Sequence, residues 1–429
     1  MQNLASRTRA TAHRFLRWSE KYTKTDMVFI STTGWWASIA QIATALSSFG
    51  LALLVARFVT KTEYGQYVYI LSLVSTLSIF SLTGIGGAVM QSVARGYDES
   101  LNDGFRLNMK WGVGVAIATL LLSTYYLING NTVLSIAIFI AGMTTPLRTS
   151  FNLYSLYLNG KKDTMRSSIY VNGIGNVVPM LFVAFAVIFL PTATYLVIFY
   201  AIGNLLTSAY LYKQTLKIHP ITSHEHDPGL KRYGLHLSVA NILNTAAGNL
   251  DNLLLFHYLG AVEVAIYNFA IALPNQTKEP LGAIGSMMTA RFSEHSAKTI
   301  KESMRNKILW LTAGYVVIVA ALLLIIPIFF HIFFPTYNSS IPYAQLYTLS
   351  LLVGGVIMPT SAYLSAHKRI KEQYINTIAI SSFQIVSLFI GILTFGILGV
   401  IIARIATRVA SAILSYVLYQ YACTHPIES

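Results

Sequence analysis

Six ionisable residues lie inside stretches that are otherwise apolar: Arg148, Asp251, Lys278, Glu279, Arg404 and Arg408. A charge at the centre of a hydrocarbon layer costs at least about 2.5–3.5 kcal/mol on insertion scales, so such groups usually face a partner or a cavity. Arg404 and Arg408 are four residues apart, which puts both on one helix face. At 1.5 Å per residue from the outer end of their run they sit about 9 and 15 Å deep. Lys278 falls mid-run between Pro274 and Pro280, which loosen the helix around it, and Arg148 follows Pro146. Four cations face two carboxylates, so a positive surplus needs an anion from outside the chain. The guanidinium fork favours phosphate or carboxylate. Asp251 and Glu279 read in two ways, as carriers of a coupling ion (H+ or Na+), since a buried carboxylate takes up protons readily, or as counter-charges in structural ion pairs. Amides recur as well, at Gln41, Asn172, Asn176, Asn204, Asn241, Asn244, Asn249, Asn252 and Gln384. They either join neighbouring helices or, on a cavity face, meet hydroxyl groups.

Other chemistries have little support. Cys423 is the single cysteine, which excludes an internal disulfide and a thiolate metal cluster. His219, His224 and His226 lie in a polar stretch and read as parts of a solvated linker, because one His-x-His pair supplies too few metal ligands. No GxGxxG or P-loop pattern occurs, so no nucleotide site is indicated. No Asp-x-Asp occurs either. A non-enzymatic protein without cofactors is expected.

The elements that position these charges are membrane helices. The 429 residues are 54% hydrophobic and 11% charged, with a mean hydropathy of +0.57; soluble domains carry about 25% charged residues. A bilayer core about 30 Å thick takes about 20 helical residues to cross. Twelve runs suffice: 33–58, 65–92, 107–128, 132–158, 166–190, 193–212, 233–258, 264–290, 308–333, 342–366, 374–396 and 398–421. The connections 128–132, 190–193 and 396–398 are short enough to demand antiparallel hairpins. The residues before Asp26 are basic and polar, without the apolar core of a removable signal. The net charge of +14 points to a bilayer rather than to nucleic acid, because of where the charges lie. Twenty-four of the thirty Lys and Arg residues fall in the N-terminal tail and in the loops after runs 2, 4, 6, 8 and 10. That alternation predicts both termini in the cytoplasm.

Two internal echoes suggest duplication. Residues 53–67 repeat at an offset of 200: Leu53-Leu54 matches Leu253-Leu254, Glu63 matches Glu263 and Tyr67 matches Tyr267. Tyr157-Leu158-Asn159-Gly160-Lys161-Lys162 is echoed by Tyr363-Leu364-Ser365-Ala366-His367-Lys368 at an offset of 206. The expected architecture is an all-α integral membrane protein, with twelve transmembrane helices in two six-helix halves around a central cavity. A basic cytoplasmic tail (1–26) precedes an N-terminal half (27–212), a cytoplasmic linker (213–232), a C-terminal half (233–421) and a cytoplasmic tail (422–429). Even-numbered halves share one orientation, with a site between them near the midplane. Gly84, Gly86 and Gly87, like Gly173 and Gly175, are expected to permit close helix packing.

With Glu63-Tyr64-Gly65-x-Tyr67, Asp251-x-x-Leu254, Leu259-Gly260, Tyr267 and the Leu158-x-Gly160-Lys161 turn, the chain resembles the multidrug/oligosaccharidyl-lipid/polysaccharide (MOP) exporter superfamily. Within it, the chain is similar to the Wzx-type O-antigen and capsule repeat-unit flippases. The resemblance implies a MATE-like, V-shaped bundle in the bacterial inner membrane. It implies a basic cavity that passes an undecaprenyl-pyrophosphate-linked oligosaccharide between leaflets by alternating access. Arg404, Arg408, Lys278 and Arg148 would then attract pyrophosphate or acidic sugars, and Asn172 and Asn244 would meet sugar hydroxyls. Membrane lipids, a polysaccharide polymerase and a chain-length regulator are the implied partners, and nucleic acid is not. A cation-coupled multidrug antiporter would want a net negative cavity, and a membrane-embedded glycan polymerase a long outer loop; neither is seen.

Overall fold

The computed structural model describes residues 27–294 and 297–425; the expected N-terminal tail and residues 426–429 lie outside it. The described residues are mostly helical, with a non-helical linker between Ile218 and Leu230. Helices α1 (Met27–Phe58), α2 (Lys61–Leu77), α3 (Ile85–Ala94), α4 (Ser100–Ile128), α5 (Thr132–Phe151) and α6 (Leu153–Gly160) come first. Then come α7 (Thr164–Ser168), a π-helical segment (Ile169–Gly175), α8 (Asn176–Phe189) and α9 (Ala193–Ile218). After the linker come α10 (Leu230–Tyr258), α11 (Ala261–Gln276), α12 (Lys278–Ser293), α13 (Ala297–Phe333), α14 (Ile341–Leu349), α15 (Gly354–Ala366) and α16 (Ile370–Thr424). Large apolar side chains such as Ile128 and Leu324, 79% and 73% exposed, stand on the outer surface. That arrangement suits a bundle whose solvent is lipid, where each backbone group must be satisfied within its own helix.

Seven helical stretches are individually long and apolar enough to cross a membrane, and two bent pairs add to them. One of the seven, α16, holds the last two expected runs; of the runs that remain, α10 is a continuous helix that carries Asp251 and several amides, and α11–α12 is broken at Thr277. All three predicted hairpins form. Asn131 caps α5 by accepting the Leu134 N–H at 3.1 Å, and Ser123 meets Ser135 across the first hairpin at 3.0 Å. Gly203 of α9 lies against Phe182 of α8. Within α16 the chain reverses at Gly396, whose φ of 58° is open to glycine without steric cost. Ser387 and Thr407 then face each other at 3.4 Å.

Several runs expected as continuous helices are broken. The second bends by 61° between Phe80 and Ile85, and the tenth by 49° between Leu349 and Gly354. Glycine lets backbone approach a neighbour at both breaks. A Cβ on Gly84 would lie 2.5 Å from Leu237 of α10, and one on Gly354 would lie 2.5 Å from Tyr315 of α13. The run containing Lys278 is interrupted at Thr277, between the two prolines that remove helix donors.

The echoed segments fold alike. Lys162 (φ 63°) and Lys368 (φ 52°) are the non-glycine residues with positive φ among those described, and they are 206 apart. In each copy the next residue donates its N–H back to the leucine of the motif, Asp163 to Leu158 and Arg369 to Leu364, both at 2.9 Å. Tyr157 and Tyr363 are buried at equivalent places.

The two sets of helices meet along α2–α3 and α10–α11. Gly84 donates its N–H to Ser238 at 2.9 Å, Asn249 and Asn252 donate to Ser75 and Ser72, and Gly65 seats directly on Ala261. Away from the basic loops, aromatic rings close the seam. Phe49 of α1 contacts Phe329 and Phe333 of α13, with centroids at 5.7 and 5.3 Å. Tyr64 of α2 meets Phe269 of α11 at 5.3 Å.

Candidate functional site

Four helical segments of the C-terminal set converge on the second arm of α16. Arg404 donates from Nη2 (2.6 Å) and Nε (3.2 Å) to Asp251 Oδ2 on α10, and from Nη2 to the Gly248 carbonyl at 3.3 Å. Tyr267 of α11 donates to the same Oδ2 at 2.5 Å. Asp251 is 3% exposed, and its Oδ1 is buried without a hydrogen-bond partner among the described residues. Three donors therefore crowd one carboxylate oxygen while the other receives none. Arg404 thus has its counter-charge inside the protein, and it belongs to a buried ion pair rather than to the positive surplus.

One turn further along the same face, Arg408 has neutral partners. It donates from Nη1 to Ser350 Oγ at 2.8 Å and from Nη2 to the Tyr347 phenol oxygen at 3.1 Å. Lys278 donates to that same oxygen at 3.2 Å and to Asn275 Oδ1. Tyr347 donates its own O–H to Asn275 Oδ1 at 3.1 Å. One phenol therefore gathers two cations, with no ion pair to either among the described residues. Both lie within hydrogen-bond reach of one oxygen, at 3.1 and 3.2 Å, so the charges are at most about 6 Å apart and repel by ~3 kcal/mol or more at an effective dielectric constant of about 20; a phosphate placed between them would turn that repulsion into attraction. Asn275, near the end of α11, reaches Lys278 at the start of α12 across the break at Thr277. Tyr267 carries the repeat signal; Tyr347 and Ser350 carry none.

The other expected residues are placed as follows. Arg148 on α5 is half-buried, has no side-chain partner among the described residues, and stands on a helix packed against α4 and α9. It is not brought to the Arg408–Lys278 pair. Asn172 lies in the π-helical segment, where its carbonyl accepts from Thr44 of α1; single π turns often mark functional sites. Asn244 is exposed on α10. Asn249, Asn252, Asn268 and Gln384 bond to neighbouring helices. The side chain of Glu279 falls outside the described positions.

The linker is docked rather than freely solvated, and each of its histidines meets a carboxylate of the N-terminal set. His219 pairs with Asp163 at 2.9 Å, His224 with Glu99 at 3.2 Å and His226 with Asp103 at 2.6 Å. Lys161 pairs with Asp98 at 2.6 Å, and Asp98 also accepts from Thr222 at 2.7 Å. The hydrogen bond and charge of Asp103 raise the His226 pKa above its ordinary 6.5; Glu99 adds to this and Arg106 opposes it. Burial pushes Asp98 and Asp163 up, but Lys161 and Thr222 for the first, and His219 and Arg166 for the second, hold both below the ordinary 3.8. A raised histidine pKa favours docking below its ordinary value, and that contribution is lost as pH rises through the folded value. The lowered carboxylates contribute above 3.8 and lose it as pH falls through theirs. Amide hydrogen exchange over residues 219–227, corrected for intrinsic rates, is therefore expected to be slowest near pH 5–6 and to accelerate toward pH 8. His226→Ala should exchange at the faster rate already at pH 6, and an unchanged wild-type rate across that range would contradict the pairing.

A family model described as "Polysaccharide biosynthesis protein" matches residues 32–276. No curated protein matches the chain. Among solved structures, an inward-facing multidrug resistance MATE family transporter of the MOP superfamily is 15% identical, with a TM-score of 0.69 over 89% of this chain and 94% of that one. A MOP superfamily transporter from Pyrococcus furiosus, described by a binding pocket of reverse polarity, is 15% identical with a TM-score of 0.64, covering 94% and 96%. The lipid II flippase MurJ, inward closed, is 13% identical with a TM-score of 0.64, covering 89% and 86%. The chain has the fold of these transporters, as the resemblance in its sequence implies.

Proposed function

Because this membrane protein belongs to the polysaccharide biosynthesis protein family, we propose that it flips undecaprenyl-pyrophosphate-linked oligosaccharide repeat units across the bacterial inner membrane, for O-antigen, capsule or other exopolysaccharide synthesis. The observation that carries the reading is the Arg408–Lys278 pair, two cations held side by side by a phenol and an amide. A pyrophosphate supplies the charge that the described side chains do not, and charge-assisted hydrogen bonds to it are roughly twice as strong as neutral ones. Arg148 meets acidic sugars or phosphate on the opposite set of helices, Asn172 and Asn244 meet hydroxyls, and the prenyl tail stays in lipid. The halves rock about the α2–α3/α10–α11 seam, parting Phe49 from Phe329 and Phe333 when the far side opens. The break at Thr277 is a flex point beside Lys278. The basic loops and both termini face the cytoplasm, where the repeat unit is loaded, and the polymerase and chain-length regulator act on the delivered product. A cation-coupled drug antiporter of the same fold would need negative charge where Arg408 and Lys278 stand.

Deleting the gene is expected to leave lipid-linked repeat units accumulating in the leaflet that faces the basic loops, with surface glycan lost. Repeat units that still reach the opposite leaflet at the normal rate would overturn the assignment.

A further inference from the structure

A cavity of about 760 Å³ lies at the basic end, between the start of α4, the end of the linker and the start of α10. It is remote in sequence and function from the Arg408–Lys278 pair. Three cations line it, Arg106 and Lys110 on α4 and Lys231 on α10. All three are exposed, and none has an ion pair or a side-chain hydrogen bond among the described residues. The two carboxylates in the lining are already committed. Asp103 is bonded to His226 at 2.6 Å, and Asp227 holds Arg95 at 2.6 Å along with Ser92 and the Gly229 N–H. The rest of the wall is apolar, with Phe105, Leu107 and Leu230.

The height of the cavity is marked independently. Trp111 follows Lys110 and is 44% exposed; Tyr233 lies two residues after Lys231 and is 38% exposed. Exposed Trp and Tyr sit preferentially at the headgroup level. Beyond Trp111, α4 presents Val113, Ile117 and Leu121 to the outside, as a helix in the acyl layer must. Cations at the headgroup plane beside apolar walls match one kind of molecule, a phosphate carrying acyl chains.

We propose that this cavity is a binding site for an anionic phospholipid, whose phosphate is held by Arg106, Lys110 and Lys231 and whose chains follow Phe105, Leu107 and Leu230. The lipid bridges α4 of the N-terminal set to α10 of the C-terminal set across the linker. The inference needs the membrane setting but not the transported cargo, so it stands or falls separately from the flippase reading.

The test uses the full chain in nanodiscs of phosphatidylcholine containing either phosphatidylglycerol or no anionic lipid. Native mass spectrometry after gentle detergent exchange counts the lipids retained. Wild type is expected to retain one phosphatidylglycerol at least tenfold more often than phosphatidylcholine. Arg106→Gln/Lys110→Gln/Lys231→Gln should lose that preference while melting at the wild-type temperature. Independently of any variant, wild-type retention should fall as salt rises from 50 to 500 mM, because exposed charges are screened. Equal retention of the two lipids by wild type, or an unchanged preference in a folded triple variant, would overturn the proposal. Displacement by equimolar inorganic pyrophosphate would also overturn it, by assigning the cations to a soluble anion.

Discussion

Arg408→Ala is expected to abolish surface glycan while the protein stays in the membrane at its normal level. Among the described residues Arg408 hydrogen-bonds to Ser350 and Tyr347 and pairs with no carboxylate, so a modest effect on folding follows from its removal. Its role toward a phosphate is different. A hydrogen bond to a charged group is worth about 1.5–3 kcal/mol, and each 1.4 kcal/mol is about tenfold in an equilibrium constant. Losing both donors of the fork should therefore lower transport by about a hundredfold or more. Lys278 shares the Tyr347 oxygen and loses its neighbour in the same change. Arg408→Lys keeps the charge but not the planar fork, and should recover only part of the activity. A glycan ladder on a gel, beside an immunoblot of the membrane fraction, reads both quantities. A normal ladder from Arg408→Ala would remove the pair from the mechanism.

The largest effect on stability is expected at Asp251. Asp251→Ala leaves the Arg404 guanidinium inside the bundle without its counter-charge, and breaking a buried pair from one side costs about 3–5 kcal/mol. It also strips Tyr267 of its acceptor. Replacing both partners by apolar residues of similar size is often neutral or better, so Asp251→Leu/Arg404→Leu should regain most of the folded protein that either single change loses. Melting curves in detergent measure this directly, and additive losses in the double variant would refute the pairing. Transport by the double variant then separates two roles. If glycan returns, the carboxylate is a counter-charge; if a well-folded double variant exports none, the pair itself takes part in transport.

Much of the bundle was legible because lipid forces it. A backbone that must satisfy itself can only be helical, so long apolar runs and short connections such as 190–193 named their own hairpins. The duplicated turn was legible for a similar reason, since Lys162 and Lys368 close identical helix ends. The breaks were only half legible. The prolines around Lys278 announced the interruption at Thr277, whereas Gly84 and Gly354 break their helices because of what packs against them, and that is tertiary information. The charges divided along the same line. Depth along a run placed Arg404 and Arg408 together, but it could not say that Asp251, 153 residues earlier, would neutralise one and leave the other. Depth also selects Arg148, but it does not fix which way that helix is turned. Tyr347 had no signal at all; its role comes from where α14 lies beside α11 and α16. The linker histidines looked solvated because their partners, Glu99, Asp103 and Asp163, are far away in sequence.

The central claim is that Arg408 and Lys278 recognise a negative charge brought by the cargo. Direct binding of undecaprenyl pyrophosphate and of uncharged undecaprenol to the purified protein, in the same detergent, tests it. The pyrophosphate is expected to bind at least a hundredfold more tightly, with most of that preference lost in Arg408→Ala/Lys278→Ala and little of it in Lys110→Gln. Equal binding of the two lipids, or a preference untouched by the double variant, would contradict the account.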